Sequence, residues 1–528
     1  MNKQLNVASL AVAALLLVAC EGDDGINGVD GADGTDGADG FNSLVMTREI
    51  PKGDAVCLGG GLALDSGLDI NRNDVLDPDE VTATELLECE ATPMVRALHA
   101  SPDAPAVNIL INGTAVLSNV DYTEGSGFLP GVEEVNVQVE AIIPGGNAVV
   151  IDEDYSLDYN TDYTVIAVDE VAGPLRALVI ANPSDERLTP GNFFAQVVHA
   201  APSAPDVDVY VTALDADLTA SAPINLVPLA FESFTPRLEV PEGDYQIRVT
   251  AAGDTSTIFY DSGEISLAAG ADLLIAALEN VRPGDSAVQL VVMDGTTAST
   301  LNAVDTPAAA LAVHLSPDAP AVDILADIDS TPADDALPLA VNVEYTDFCV
   351  IDDIPAPVDF TLSVVANADN SVVALQFPFS STVAGASATI VSGFLSSGTP
   401  AIQAIALGVD ARSVVTEAKL RLTHGSPSTP NVDIYLLPAG TDINMATPNF
   451  SDVPFGADTG ILSVAADTYD VYVTATGSKT PAIAVTGLAF TGGEVWDVIA
   501  RDPIIGSMEV GPQALVVDYD AVTACTTS

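Results

Sequence analysis

The chain has 528 residues with 75 acidic and 15 basic side chains, which gives a formal net charge of −60. This excess of carboxylates excludes nucleic acid as a partner and disfavours anionic lipid surfaces, because both need Lys and Arg. Apolar residues make up 48% of the chain, so it is not a disordered polyanion, and its length predicts several domains.

The first 19 residues have the pattern of an export signal. Lys3 makes the N-terminus positive, and residues 10–18 form an apolar run that is too short to span a bilayer. The segment that ends in Leu17, Val18, Ala19 and Cys20 resembles the lipobox of bacterial lipoproteins. An ordinary signal peptide, in which Cys20 has no role, is the alternative.

The lipobox resemblance implies how the chain is anchored. Cys20 would carry a diacylglycerol on its thiol and a further acyl chain, such as palmitate, on its amine. Residue 21 is Glu, not the Asp that retains such proteins at the inner membrane. The resemblance therefore implies a lipid-anchored protein of the outer membrane, facing either the periplasm or the exterior.

Residues 20–43 hold the lipidated cysteine and a spacer. Glycine occupies every third position from residue 22 to residue 40, which is the Gly-X-Y period of collagen. Pro is missing and Asp fills most third positions, so adjacent strands of a triple helix would repel one another. The composition favours a flexible acidic spacer.

Residues 44–91 form a small acidic module with the spacing of a calcium loop. Oxygen ligands are expected from Asp69, Asn71, Asn73, the Val75 carbonyl, Asp77 and Glu80. Asp74 stands where such loops place a glycine with a left-handed backbone, which Asp tolerates at a cost of about 1 kcal/mol. Pro78 predicts an exiting helix over 78–87, and a metal-free turn capping that helix is the alternative.

The cysteines indicate an oxidising compartment, since four remain after Cys20. Cys57 and Cys89 flank the calcium loop and are predicted to form a disulfide bond that staples the small module. Cys349 and Cys525 could form a second disulfide bond or remain free or mismatched thiols, and the sequence does not distinguish these alternatives. The whole module is similar to the calcium-loop modules that follow Gly-X-Y stalks in bacterial envelope lipoproteins.

The rest of the chain repeats itself four times. Each copy starts with a His, two prolines three residues apart and a Val-Asx-Val/Ile strand. The four histidines of the chain are His99, His199, His314 and His424. The Asx residues nine positions later are Asn108, Asp208, Asp323 and Asp433. The copies are roughly 100 residues apart, the size of independent domains.

Period-two alternation and frequent turn residues predict about seven short strands per copy, which is typical of an immunoglobulin-like antiparallel β-sandwich. The His-Ala-Ser-Pro-Asp-Ala-Pro motif resembles domain-of-unknown-function family 4397, found in exported and wall-associated proteins. The domains are predicted at 92–190, 191–304, 305–412 and 413–528.

The repeated histidines have two interpretations. As packing residues they would bond a backbone carbonyl or the Asx across a bend at a sandwich corner; as reactive groups they would bind metal or act as a base with that Asx. The first copy has Asn108 where a base would need a carboxylate, which favours packing.

No catalytic motif is present in the sequence, so the protein is predicted not to be an enzyme. We expect a lipid-anchored rod of tandem sandwiches for surface display, adhesion or scaffolding, with a glycan or protein ligand. The alternative is a metal-capture protein or hydrolase that uses the His–Asx corners.

Overall fold

The computed structural model describes residues 39–173, 175–282, 286–304, 306–327, 336–396 and 398–527. These residues form 35 β-strands and no α-helix, which confirms the all-β prediction. None of them belongs to a helix long and apolar enough to cross a membrane. The signal segment and Cys20 lie outside the described residues. The chain divides into two compact units, one with residues up to Ile50 and Gly61–Glu88, the other with Pro51–Gly60 and everything from Cys89 onward.

The smaller unit is a three-stranded sheet with the order β1-β2-β3. Its strands are β1 (Ser43–Ile50), β2 (Gly61–Leu68) and β3 (Val81–Cys89). The helix predicted over 78–87 is therefore wrong. Val81, Thr82 and Thr84 are β-branched and favour a strand. Thr84 also donates from its hydroxyl to Asp65 on β2 at 2.7 Å, a cross-strand bond that a helix would lose.

The larger unit contains the four repeats, and each is a sandwich of two sheets. Repeat 1 consists of β4 (Met94–His99), β5 (Val107–Ile111), β6 (Thr114–Val120), β7 (Leu129–Pro130), β8 (Glu134–Ala141), β9 (Ala148–Ser156), β10 (Thr161–Val168) and β11 (Arg176–Pro183). Repeat 2 consists of β12 (Asn192–His199), β13 (Val207–Thr212), β14 (Leu238–Pro241), β15 (Gly243–Ala251), β16 (Asp254–Leu267), β17 (Asp272–Glu279), β18 (Val288–Met293) and β19 (Ala298–Leu301).

The last two repeats have the same plan. Repeat 3 consists of β20 (Ala308–Leu315), β21 (Val322–Asp327), β22 (Leu337–Val343), β23 (Phe348–Ile354), β24 (Asp359–Ala366), β25 (Asp369–Ser380), β26 (Ala386–Ser392) and β27 (Gln403–Gly408). Repeat 4 consists of β28 (Ala418–His424), β29 (Val432–Pro438), β30 (Phe450–Val453), β31 (Leu462–Val464), β32 (Thr468–Ala475), β33 (Pro481–Ala489), β34 (Val495–Arg501) and β35 (Gln513–Asp518).

We call the sheet that holds the first strand of a repeat its A sheet and the other its B sheet. In repeat 1 the A sheet has the order β11-β10-β4-β7 and the B sheet the order β6-β5-β8-β9. The first strand runs parallel to the seventh in repeats 1, 3 and 4 and to the sixth in repeat 2, whereas the neighbours within the B sheets are antiparallel. A parallel pair needs a long crossover. Here the intervening strands of the B sheet supply it, so the sandwich is not antiparallel throughout.

Repeats 1 and 2 pack face to face through their A sheets, and repeats 3 and 4 do the same. One apolar cluster joins Leu98 and Ile166 of repeat 1 to Leu274 and Val291 of repeat 2. A tyrosine makes an equivalent hydrogen bond across each of these two interfaces. The Tyr122 hydroxyl of repeat 1 donates to the Glu279 carbonyl of repeat 2 at 2.7 Å, and the Tyr345 hydroxyl of repeat 3 donates to the Asp502 carbonyl of repeat 4 at 2.8 Å. Burial raises the pKa of Tyr345 to about 12. Repeats 1 and 2 thus form one pair, and repeats 3 and 4 form another.

Repeats that are not adjacent in the chain also contact one another. Arg412, at the end of repeat 3, donates to the carbonyls of Ala104 and Pro102 in repeat 1 at 2.7 and 3.2 Å. Its guanidinium also pairs with Asp121 and lies over the Tyr122 ring, 5.7 Å from the centroid. This one side chain therefore connects the two pairs.

Both possible disulfide bonds are present. The predicted bond between Cys57 and Cys89 is confirmed. Cys349 and Cys525 form a second bond, with a sequence separation of 176 residues. The C-terminal residues also pair with repeat 3, since the Cys525 amide donates to the Val350 carbonyl at 2.7 Å and the Val341 amide donates to the Thr526 carbonyl at 2.8 Å.

Candidate functional site

The repeated histidines occupy the same position in all four sandwiches. Each one lies at the end of the first strand of an A sheet, as the last residue in repeats 1, 2 and 4 and as the residue before the last in repeat 3, and is almost fully buried, with exposures of 0 to 2%. The Nε2 atom donates to the carbonyl of the second motif proline, since a carbonyl can only accept. The pairs are His99–Pro105 at 3.0 Å, His199–Pro205 at 3.0 Å, His314–Pro320 at 3.2 Å and His424–Pro430 at 3.1 Å. Each imidazole thus closes its own His–Pro turn.

The other ring nitrogen is directed inward as well. In the first three repeats Nδ1 accepts from the amide two residues later, at 3.3 Å. In repeat 4 the Nδ1 of His424 is buried and has no hydrogen-bond partner among the residues that the structure describes. Each ring meets the edge of an aromatic ring at 6.1 to 6.3 Å between centroids. These aromatic residues are Tyr122, Phe231, Tyr345 and Phe455.

Burial lowers the pKa of all four imidazoles, and the hydrogen bond to the proline carbonyl opposes this only in part. Desolvation penalises the charged form because the low-dielectric interior cannot solvate it. The rings are therefore neutral near pH 7. In each neutral ring Nε2 carries a proton that is bonded to the proline carbonyl. This nitrogen therefore cannot accept another proton.

The Asx residues of the motif bond elsewhere in the B sheet. Asp433 accepts from the Asp452 and Gly477 amides at 2.9 and 2.8 Å. Asp323 similarly accepts from the Asn342 amide at 2.8 Å and from the side chain of Asn367 at 2.8 Å.

The first two repeats use the same position in the same way. Asp208 accepts from the Gly253 amide, and Asn108 accepts from the Asn119 amide, at 2.8 and 3.1 Å. These contacts hold neighbouring strands of one B sheet together. The structure therefore does not bring the Asx side chains into hydrogen bonds with the histidines.

The predicted calcium loop gathers its residues around two buried carboxylates. Asp69 accepts from the Asn73 and Asp74 amides at 3.0 and 2.9 Å. Glu80 accepts from the Ile70 and Asn71 amides at 2.8 and 3.0 Å, and from the Asp77 amide at 3.1 Å. Asp74 adopts a left-handed backbone with φ of 62°, in the place usually held by glycine.

The donor set of this loop fits calcium only in part. Carboxylate and amide oxygens at this spacing are the hard ligands that calcium prefers. However, the side-chain nitrogens of Asn71 and Asn73, not their oxygens, face Asp77, at 2.7 and 3.0 Å. Among the described residues no group of three or more His, Cys, Asp or Glu side chains is arranged to hold a metal ion. Val75 is 54% exposed. To bind calcium, the side-chain amides of Asn71 and Asn73 would have to rotate so that their oxygens face the ion.

A cleft that the sequence did not indicate lies where the four repeats meet. Its volume is about 760 Å³, within the range of ligand sites. Its lining includes Asp121 and Glu124 of repeat 1, Arg282 and Gln289 of repeat 2, Asp352, Asp410 and Arg412 of repeat 3, and Tyr519 and Asp520 of repeat 4. Gln289 is 3% exposed, and within the described part of the chain its Oε1 atom has no hydrogen-bond partner. Local patterns could not reveal this cleft, because its walls come from segments hundreds of residues apart.

The geometry defines an all-β protein made of four copies of one two-sheet domain with a buried histidine turn. The family described as Domain of unknown function (DUF4397) matches residues 93–210, 212–325, 308–435 and 418–526. The chain therefore belongs to that family, as the motif resemblance predicts. A second family, Domain of unknown function (DUF7151), matches residues 42–87, the segment with the candidate calcium loop.

Among solved structures, the Bacillus anthracis TIE protein is similar at 11% identity over 87% of this chain and 74% of that chain, with a TM-score of 0.14. No protein with curated annotation matches the chain.

Proposed function

We propose that the protein is a non-catalytic, lipid-anchored component of the cell envelope, whose repeats act as a scaffold that presents a ligand-binding surface. The observation that carries this proposal is the histidine geometry. Four of four histidines are buried and closed onto their own turns, each with Nε2 bonded to a proline carbonyl. A motif repeated four times in this form supports a folding role.

The alternative of a metal-capture protein or hydrolase has less support. A metal would have to displace the proline carbonyl from Nε2, and a base would have to find its substrate inside a closed turn. The Asx that would orient such a base instead holds strands of the B sheet together.

The ligand of this scaffold is proposed to bind in the cleft between the four repeats. The five carboxylates in its lining, from repeats 1, 3 and 4, outnumber the two arginines Arg282 and Arg412, so the cleft favours cationic or hydroxyl-rich ligands over anions. A basic protein segment or a glycan meets that requirement, whereas nucleic acid does not.

A lipidation experiment tests the anchoring half of the proposal. The parent chain and Cys20→Ala are expressed in an outer-membrane-bearing bacterium that is fed a radiolabelled fatty acid. The parent should incorporate label and sediment with membranes, whereas Cys20→Ala should incorporate no label. Ser43→Ala, at an exposed position outside the lipobox, serves as the control and should still be labelled. An unlabelled parent chain would overturn lipid anchoring.

A further inference from the structure

Repeat 1 contains an internal cavity between its two sheets. Its volume is about 190 Å³, and its lining is mostly aliphatic, with Ile109, Val135, Val137 and Leu157 among the side chains. The equivalent spaces inside repeats 3 and 4 measure about 20 and 10 Å³. Four copies of one fold therefore provide an internal comparison, and repeat 1 is far less filled than these two.

One strand position explains the difference. Val135 lies six residues before Ala141, which pairs with the first residue of β5. By the same register the equivalent residues in the other repeats are Tyr245, Phe360 and Tyr469. Repeats 2, 3 and 4 thus place an aromatic ring where repeat 1 has the small side chain of Val135.

These rings fill the interiors of their repeats. Phe360 stacks on Phe379 with 5.2 Å between centroids, and Tyr469 stacks on Phe490 at 5.8 Å. In repeat 1 the buried core is split into two small clusters, one around Val139 and the other around Val135. Replacing one ring by a valine therefore leaves a ring-sized space that the neighbouring side chains do not close.

The cavity also borders an incomplete edge of the sandwich. β7 is two residues long, whereas its counterpart β23 in repeat 3 has seven. Leu129 on β7 and Val132 after it line the cavity and are 37% and 53% exposed. A small molecule can therefore enter between the short β7 and β6 without unfolding the repeat.

We infer that repeat 1 carries an internal binding site for a neutral, apolar molecule about the size of one aromatic ring. Water is a poor occupant, because a buried water needs two to four polar partners and the lining is mostly apolar. A dry apolar cavity of about 150 Å³ is large enough to bind benzene. The ligand would take the place of the ring that the other three repeats supply from their own chain.

Calorimetric titration of the full chain with toluene tests this site. The parent should bind one toluene per chain. Val135→Phe supplies the missing ring and should weaken binding at least tenfold, whereas Val149→Phe, at a 53% exposed position of the same repeat, should bind as the parent does. If Val135→Phe fails to fold, Val137→Leu, which copies Leu362 of repeat 3, provides a milder filling and should also weaken binding.

A reciprocal variant gives the converse result. Phe360→Val should open the equivalent space in repeat 3 and raise the stoichiometry to two toluene molecules per chain. Three outcomes would overturn the inference: no heat of binding with the parent up to the solubility of toluene, equal affinity of the parent and both filled variants, or at least tenfold tighter binding of n-octane, which would point to an acyl chain.

Discussion

The buried imidazole is the smallest feature that the four repeats share, and its environment explains why proline follows it twice. The residue before each proline is restricted to extended backbone, which brings the carbonyl of the second proline back to the ring. In repeat 4 this carbonyl lies 3.1 Å from the Nε2 of His424, and Phe455 covers the ring edge. The sequence predicted a backbone carbonyl or the Asx as the partner, and the carbonyl holds the ring in every repeat.

Replacing His424 by Ala should destabilise repeat 4 by about 2–4 kcal/mol, because a buried hydrogen bond and an aromatic contact are lost and a cavity remains. His424→Gln keeps a donor near the proline carbonyl and should lose less. Trp496 is the sole tryptophan and lies in repeat 4, so its fluorescence in a urea titration reports on this repeat. Equal urea midpoints for the parent and His424→Ala would argue against a packing role.

The same residue predicts a pH dependence. Burial holds the pKa of His424 below the ordinary value of the unfolded chain, so acid protonates the unfolded state first. The contribution of the ring to stability is therefore complete above about pH 6.5 and falls as the pH decreases. The difference in urea midpoint between the parent and His424→Gln should shrink from pH 7 to pH 5. A constant difference would contradict a neutral buried ring.

At the scale of elements, the strands themselves were easier to predict than the way in which they pair and their sheets pack. Alternation identified the half-buried strand that starts at Val107, but the first strands of repeats 2, 3 and 4 are buried along nearly their whole length. In repeats 2 and 3 these strands read as nearly continuous apolar runs with little periodicity, whereas β28 alternates and buries its Lys419 and Arg421 in ion pairs with Asp410 and Asp497. This pattern was the available signal that the A sheets pack on one another. In the small module, Pro78 and the acidic residues around it predicted a helix over 78–87. The segment instead forms β3, which hydrogen bonds to β2 stabilise.

We propose that the 69–80 loop binds calcium and that Glu80 has two separable roles there. Calcium should raise the melting temperature of the parent chain, whereas magnesium should have a smaller effect because it dehydrates reluctantly. Glu80→Ala should abolish the calcium effect. It should also lower the melting temperature in EDTA, because three backbone amides lose their acceptor.

Glu85→Ala, in exposed β3 outside the loop, is the matched control and should keep the calcium effect. A parent chain whose melting temperature does not change with calcium would reject the metal site. It would leave a loop held by its own amides.

At the scale of the whole molecule, Arg412 connects repeats that are far apart in the chain. Arg412→Ala leaves two carbonyls of repeat 1 without their donor and Asp121 without its cation, and should destabilise that contact by about 2–4 kcal/mol. In calorimetry the variant should melt in separate steps for the two pairs of repeats. Arg187→Ala, at an exposed position, is the control. An unchanged melting profile for Arg412→Ala would show that other contacts hold the pairs together.

The number and size of the repeats could be predicted from the sequence, since the His–Pro motif marks each copy. Their assembly could not, because it depends on which apolar faces meet and on single residues such as Arg412 and Cys525. The cleft and the cavity in repeat 1 could not be predicted either, because both depend on three-dimensional packing. The first needs all four repeats in place, and the second becomes visible only when Val135 is compared with its equivalents in register.

The C-terminal residues complete a domain that precedes them by a whole repeat. Val350 exchanges backbone hydrogen bonds with Thr523 and Cys525, and the sulfur atoms of Cys349 and Cys525 close the connection. A chain emerges from the ribosome with its N-terminus first, so the contacts of Cys349 and Val350 with residues 523–525 can form only after the chain has been made through Cys525. A nonsense codon in repeat 4 before codon 525 would therefore remove contacts from repeat 3 as well as part of repeat 4.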